Sequence, residues 1–365
     1  MNHSSHQLTR RDALAFLGAA ATTFPRRASA ASASPFPKGA VIRTILKDVP
    51  PEALAGGATL FHEHLSLEPG FMPKWRQFAP AEARRGAAAP PATAAVPQQW
   101  FMENLDLMTA EMQAAASGGV GCIVDAGQPD MGRNLDFLKQ LSIKSGMPIV
   151  ASCGYYAQPF YPPEIASMSE DQIARDLIRQ AATEPVGALG EIGTWDEMTA
   201  DERKVFRAVC KTHLATNLPI FTHTNFGKGA LAQLDLFESM GVKPGRVAIG
   251  HVGGLIDPKA EVQKALCKRG AFVGFDRQGG PGDAPQVTMV MALIEAGYAD
   301  QVLLASDFSS AAQLKTTGGP GYAKTVTVFA PKLRAAGAAE ETVHRILVDN
   351  PRRFLAFAPK QRRKI

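Results

Sequence analysis

The sequence predicts an α/β chain, a (β/α)8 TIM barrel in a single domain. Three observations predict it. Eight short, β-rich apolar runs recur along the chain, with amphipathic stretches between them. The length of 365 residues suits one large α/β domain or two small ones. Imidazoles and carboxylates recur at the C-terminal ends of the apolar runs, and a barrel gathers all those ends at one mouth. The rival is a doubly wound open sheet. No G-x-G-x-x-G or Walker loop follows the first run, which weighs against a nucleotide-binding version of it.

The N-terminus reads as a targeting segment. Arg10-Arg11 precedes an Ala-rich apolar stretch from Ala13 to Phe24, and Ala28-Ser29-Ala30 fits a small-x-small cleavage site. The order is similar to a twin-arginine export signal. The alternative is a disordered basic tail. The export reading places residues 1–30 in a signal, 31–38 in a flexible lead-in, the barrel at 39–358 and a basic tail at 359–365. It predicts a bacterial periplasmic or secreted protein handled by the twin-arginine machinery.

Ala40–Ile45 reads as a preliminary strand. The eight main runs are 58–62, 121–125, 148–152, 186–191, 219–223, 246–251, 271–275 and 302–307. Helical periodicity covers 101–116, 134–145, 169–182, 199–216, 228–240, 257–269, 284–297, 322–336 and 340–348. The Ala/Pro-rich stretch from Glu82 to Ala95 reads as a surface excursion.

Composition excludes some function classes. Hydrophobic residues make up 45% of the chain, with 33 Gly and 26 Pro, which is ordinary globular usage. The pI of about 9.0 owes much to the chain ends. Without the first 30 residues, 35 basic residues face 33 acidic ones, and Lys360, Arg362, Arg363 and Lys364 account for that excess. No internal basic stripe with interleaved aromatics suggests nucleic acid. No apolar run approaches the roughly 18 residues of a membrane span. Cys122, Cys153, Cys210 and Cys267 lie in apolar segments and read as small buried hydrophobes.

His62-Glu63-His64 closes the first run. Residues i and i+2 of a strand share a face, so the two imidazoles converge. Glu191 ends run four, His223 run five, His251 run six and Asp307 run eight. Of the eight histidines, His3 and His6 lie in the export segment and His213 and His344 in predicted helices; the other four all stand at strand ends. Glu63 reads as a structural carboxylate rather than a ligand. His62, His64, Glu191, His223, His251 and Asp307 suffice for two divalent metals with open positions. Nitrogen and oxygen ligands without thiolate favour Zn2+, with Mn2+, Co2+ or Fe2+ as alternatives. Such a pair can share a hydroxide as nucleophile and polarise a carbonyl or phosphoryl oxygen, so the implied chemistry is metal-assisted hydrolysis.

From Val41 to Phe357 the chain resembles the phosphotriesterase-like branch of the amidohydrolase superfamily. The motifs that carry the resemblance are His62-Glu63-His64-Leu65, Met131-Gly132-Arg133-Asn134, Thr199 to Ala208, Thr222-His223-Thr224, Ile249-Gly250-His251, Ala305-Ser306-Asp307-Phe308 and Asp349-Asn350-Pro351-Arg352-Arg353-Phe354. The resemblance implies a binuclear centre. His62, His64 and Asp307 would hold the more buried metal, His223 and His251 the more exposed one, and Asp307 would also take a proton from the bridging hydroxide. Relatives suggest a homodimer.

Three departures qualify it. Glu191 stands where many members carry a carboxylated lysine that bridges the metals. Gly254 stands three places beyond His251, where efficient organophosphate hydrolases carry an acidic proton relay. Phe275-Asp276-Arg277-Gln278-Gly279 looks like the lactone-hydrolysing members, with Arg277 contacting the substrate or leaving carboxylate; the alternative is a salt bridge to Asp276 or another wall residue. Tyr155, Tyr156, Phe160, Tyr161 and Trp195 are candidates for the pocket rim. The expected function is hydrolysis of small-molecule lactones or related carboxylic esters. Phosphotriesters or other amidohydrolase substrates are the enzyme alternative, and a metal- or ligand-binding barrel without turnover is the non-enzyme one.

Overall fold

The structure is a computed structural model and describes residues 35–79, 99–280 and 282–360. The expected signal and the whole 82–95 excursion lie outside the described residues. The barrel strands are β1 (Ala58–Glu63), β2 (Val120–Asp125), β3 (Ile149–Cys153), β4 (Val186–Gly193), β5 (Ile220–His223), β6 (Val247–Ile249), β7 (Phe272–Phe275) and β8 (Val302–Leu304). They form one eight-stranded sheet in sequence order, and all seven neighbouring pairs are parallel. Helices alternate with them, so the predicted (β/α)8 barrel is the observed one.

Between the first and last strands the seam is closed differently. Asp307 N donates to His62 O at 3.2 Å, and the Glu63 carboxylate reaches across to Ser306 and Phe308.

Local signals explain the helix boundaries. Ser169 with Gln172 and Thr199 with Glu202 form capping boxes that start helices Glu170–Thr183 and Ala200–Thr216. Asn104 and Asn134 cap Leu105–Ser117 and Leu135–Ser145. Phe71–Phe78 is a helix with no counterpart in the sequence reading. The preliminary strand is shorter than expected. Ile42–Arg43 pairs antiparallel with Asp48–Val49, and Val41 bridges Phe357.

Two apolar layers form. One contains Phe61, Val124, Val150, Ala188, Phe221, Ala248, Phe272 and Leu303, one residue from each strand, together with Ile42, Leu54 and Phe354. A set with one residue from every strand, closed at one end by Ile42, Leu54 and the last helix through Phe354, is the barrel interior. The other layer packs the strands' outer faces against the helices. All four cysteines are buried and free. No helix among the described residues is long and apolar enough to cross a membrane.

Candidate metal centre

The strand ends bring all six predicted residues together. Glu191 is the hub. Its Oε1 lies 3.3 Å from His64 Nε2; its Oε2 lies 3.3 Å from His62 Nε2, 3.1 Å from His223 Nδ1 and 3.4 Å from His251 Nε2. Asp307 Oδ1 stands 3.1 Å from His64 Nε2. His223 Nδ1 and His251 Nε2 are 2.8 Å apart. Two groups of donor atoms are close enough to share an ion: His62, His64 and Asp307, and His62, Glu191 and His251. The first is the residue set expected for the more buried metal, but it includes the partly open Asp307, whereas the second is buried throughout. The second draws on His62 and Glu191 beside His251, with His223 adjoining rather than included.

Strand irregularities aim these side chains. Leu60 packs in the outer layer and Phe61 in the interior, yet His62 also turns inward, 5.5 Å edge-on from the Phe221 ring. The β1–β2 register shifts between Leu60 and Glu63. A second shift lies between Leu189 and Ile192, around Glu191. Gly190 permits it, because a Cβ there would stand 2.3 Å from Phe221 Cδ1.

Asp276 was not singled out by the sequence reading. It sits just past β7, fully enclosed. His251 Nδ1 donates to its Oδ1 at 2.8 Å, the His251 amide donates to both oxygens at 3.0 and 3.1 Å, and His62 Nδ1 lies 3.0 Å from its Oδ2. A carboxylate there keeps the imidazole protons on Nδ1 and leaves both Nε2 atoms facing Glu191. The available signal was its position, a carboxylate directly after an apolar run.

Arg277 does not pair with Asp276. Its Nε donates to Asp307 Oδ2 at 3.1 Å, and its guanidinium stacks 4.6 Å over the Phe226 ring. These are also the open residues of the centre: the side chains of Arg277 and Asp307 are 27% and 18% exposed, against 4% or less for the histidines and Glu191. The centre is therefore open to solvent beside them. Of the three candidate tyrosines, Tyr155 and Tyr161 stand edge-on to each other at 6.3 Å, and Tyr156 faces the site. Its Oη lies 3.2 Å from His223 Nδ1 and accepts from Trp75 Nε1 at 3.1 Å. Trp195 stands edge-on to His223 at 6.0 Å, as a wall. Phe160 packs behind Tyr156.

Position 254 is closed. A Cβ on Gly254 would meet Phe226 Cα and Cβ at 2.7 Å, so no acidic side chain fits there without moving backbone.

The donor set fits a divalent cation. Burial would push Glu191 up, but the histidines, His62 first, hold its carboxyl well below the usual range. Burial opposes ionisation of Asp307 too, yet His64 and neighbouring cations keep it low. Burial alone would lower His62 and His64; Glu191, Asp276 and Asp307 outweigh it, raising His62 well above its ordinary value and His64 to about 9. Burial and His251 push His223 down to about 4, against the pull of Glu191. The clustered carboxylates thus demand positive charge. His62 Nε2 is a buried nitrogen with no hydrogen-bond partner, aimed at Glu191, as a ligand atom would be.

Fold and site together define a barrel hydrolase scaffold with a histidine–carboxylate centre at its mouth. The phosphotriesterase family model matches residues 42–355, and the chain belongs to that family. The phosphotriesterase homology protein of Escherichia coli is 34% identical over 254 residues, covering 67% of this chain and 86% of the relative. A resiniferatoxin-binding protein from Rhodobacter sphaeroides superposes with a TM-score of 0.75 at 30% identity, over 86% of this chain and 94% of its own. A lactonase from Listeria monocytogenes superposes with a TM-score of 0.73 at 25% identity, over 86% and 98%.

Proposed function

We propose that the chain is a binuclear-metal-dependent hydrolase of lactones or related carboxylic esters. One observation carries the reading: four imidazoles converge on Glu191, Asp307 joins them through His64, and His62 belongs to both candidate donor groups. The likeness to a lactonase over nearly that protein's whole length supports the substrate class.

His62, His64 and Asp307 would hold one ion, and Glu191 and His251, with His223 adjoining, the other. Two divalent ions, with Zn2+ the best match to the donor set, would supply an activated water and polarise the acyl oxygen. Asp307 is the ionised carboxylate nearest solvent, so it accepts the proton of the attacking water and returns it to the departing alkoxide. Arg277, held by Asp307 and Phe226, sits at the mouth to receive the carboxylate that forms. The blocked position 254 favours carbonyl over phosphoryl substrates, because the acidic relay has no room there.

Metal-replete protein should be assayed against panels of lactones, aryl esters and phosphotriesters, with Asp307→Asn at saturating metal as control. Lactone turnover that chelators abolish, divalent metal restores and Asp307→Asn loses is the expected result. Turnover that survives chelation overturns the metal reading, and inert lactones beside hydrolysed phosphotriesters overturn the substrate class. The N-terminal signal is tested separately: replacing Arg10 and Arg11 together by Lys should hold the protein in the cytoplasm, and unchanged export refutes twin-arginine targeting.

A further inference from the structure

We propose that Glu63 is a positioning residue for Asp307, gripping the backbone on both sides of it. The inference rests on the functional reading only in giving Asp307 its role. Ser306 N donates to Glu63 Oε1 at 2.8 Å, and Phe308 N donates to Oε2 at 2.9 Å. Ser306 Oγ lies 2.9 and 2.8 Å from the two oxygens. Between these anchors, Asp307 N donates to the backbone oxygen of His62. Three consecutive amides of the last strand's extension are therefore held by two residues of the first.

The grip has something to hold. Asp307 has φ +49°, a left-handed conformation that side-chain-bearing residues adopt only when their surroundings impose it. That conformation turns its carboxylate to His64 on one side and Arg277 on the other. Glu63 is fully buried and forms no ion pair among the described residues. The Lys324 ammonium, also buried and 5.6 Å over the Phe308 ring, acts on Glu63 and Asp307 through space and balances their charge.

Chemistry explains why a carboxylate is used. Two acceptor oxygens serve two amides and a hydroxyl. A glutamine offers one acceptor, and its NH2 would face the second amide, donor against donor. An aspartate keeps both acceptors on an arm one methylene shorter.

Glu111 supplies an internal control. It is a second buried carboxylate that accepts from Lys315 N and Thr316 N, both at 2.9 Å, further along the same loop and away from Asp307. If Glu63 only staples the loop, both variants should behave alike.

Glu63→Gln, Glu63→Asp and Glu111→Gln are to be compared by crystal structure and by Zn2+ affinity in chelator competition, with Asp307→Asn completing a double-mutant cycle. In Glu63→Gln, Asp307 should leave its contact with His64 and Zn2+ affinity should fall tenfold or more. Glu63→Asp should restore part of the affinity, and Glu111→Gln should keep it within threefold. In the Asp307→Asn background, Glu63→Gln should add nothing. Asp307 unmoved in the Glu63→Gln structure, equal losses from Glu63→Gln and Glu111→Gln, or additive losses in the cycle overturn the proposal. If Glu63→Gln does not fold, the structure and affinity of Glu63→Asp decide. Wild-type protein that binds metal but turns nothing over sinks the functional reading alone. Wild-type protein that binds no metal sinks it too, and the variant structures still decide the position of Asp307.

Discussion

Asp276→Asn is the sharpest test of how the centre is wired. The carboxylate faces two imidazoles through one oxygen each, His251 Nδ1 at 2.8 Å and His62 Nδ1 at 3.0 Å. Asparagine keeps one acceptor and replaces the other with an NH2 donor. If its oxygen stays with His251, its NH2 confronts His62 Nδ1. His62 then holds its proton on Nε2, the atom that faces Glu191 at 3.3 Å. That nitrogen ceases to be a ligand, and His62 belongs to both donor groups. Loss of such an outer partner typically costs tenfold to a hundredfold in metal affinity, about 1.4–2.7 kcal/mol. A residue serving two ligands should fall at the upper end. Zn2+ affinity of the metal-free protein, measured by chelator competition, reads this directly, with circular dichroism reporting the fold. Affinity within threefold of wild type in a folded Asp276→Asn protein would refute the reasoning.

Further predictions follow from the same geometry. Burial pushes Glu202 up to about 7 from 4.5, against its hydrogen bonds to Thr199. Folded and unfolded chains both hold that proton below pH 4.5; between 4.5 and 7 only the folded chain does, so stability falls as pH rises, by on the order of 3 kcal/mol in all. Denaturant unfolding of wild type and Glu202→Gln at pH 5 and pH 8 should show the variant gaining relative to wild type at pH 8, and parallel pH dependences would contradict this. Gly254→Asp should lose about 1–3 kcal/mol of stability from its clash with Phe226, without gaining phosphotriester turnover; thermal melts and a phosphotriester assay decide. Arg277→Lys should lose the planar stack on Phe226 and the Nε bond to Asp307. A fall of about tenfold in lactone kcat/KM is expected, roughly 1.4 kcal/mol, and unchanged kinetics would remove Arg277 from the site.

Much of this centre is legible in one dimension because a barrel turns position along each strand into position in space. His62, Glu191, His223, His251 and Asp307 are scattered over some 245 positions, yet each stands where an apolar run gives out. The run pattern survives because buried parallel strands need near-continuous apolar sequence. The capping boxes at Ser169 and Thr199 fix helix starts as their spacing suggests. The short helix Phe71–Phe78 escapes because Pro73 and Lys74 interrupt its apolar pattern within two turns. The β6 and β8 ladders stop at Ile249 and Leu304, earlier than their apolar runs, because His251 and Asp307 take up left-handed backbone just beyond.

What the sequence conceals is pairing across the barrel. Arg277 adjoins Asp276 in the chain, and a neighbouring acid and base read naturally as a pair. Consecutive residues past a strand end diverge, however. Asp276 turns inward to the imidazoles, while Arg277 turns to the rim and takes its partner from β8's extension. Glu63 sits between two candidate ligands, and nothing in His62-Glu63-His64 tells that its hydrogen-bond donors lie 243 and 245 residues away, on either side of Asp307. The i, i+2 rule brought the two histidines together for a partly wrong reason, since the strand is irregular where they leave it. Convergence here depends on register shifts at β1 and β4, and a shift is a property of two strands at once. A carboxylate that stabilises such a seam is therefore invisible until the first and last strands meet, which is where His62, His64 and Asp307 are brought together.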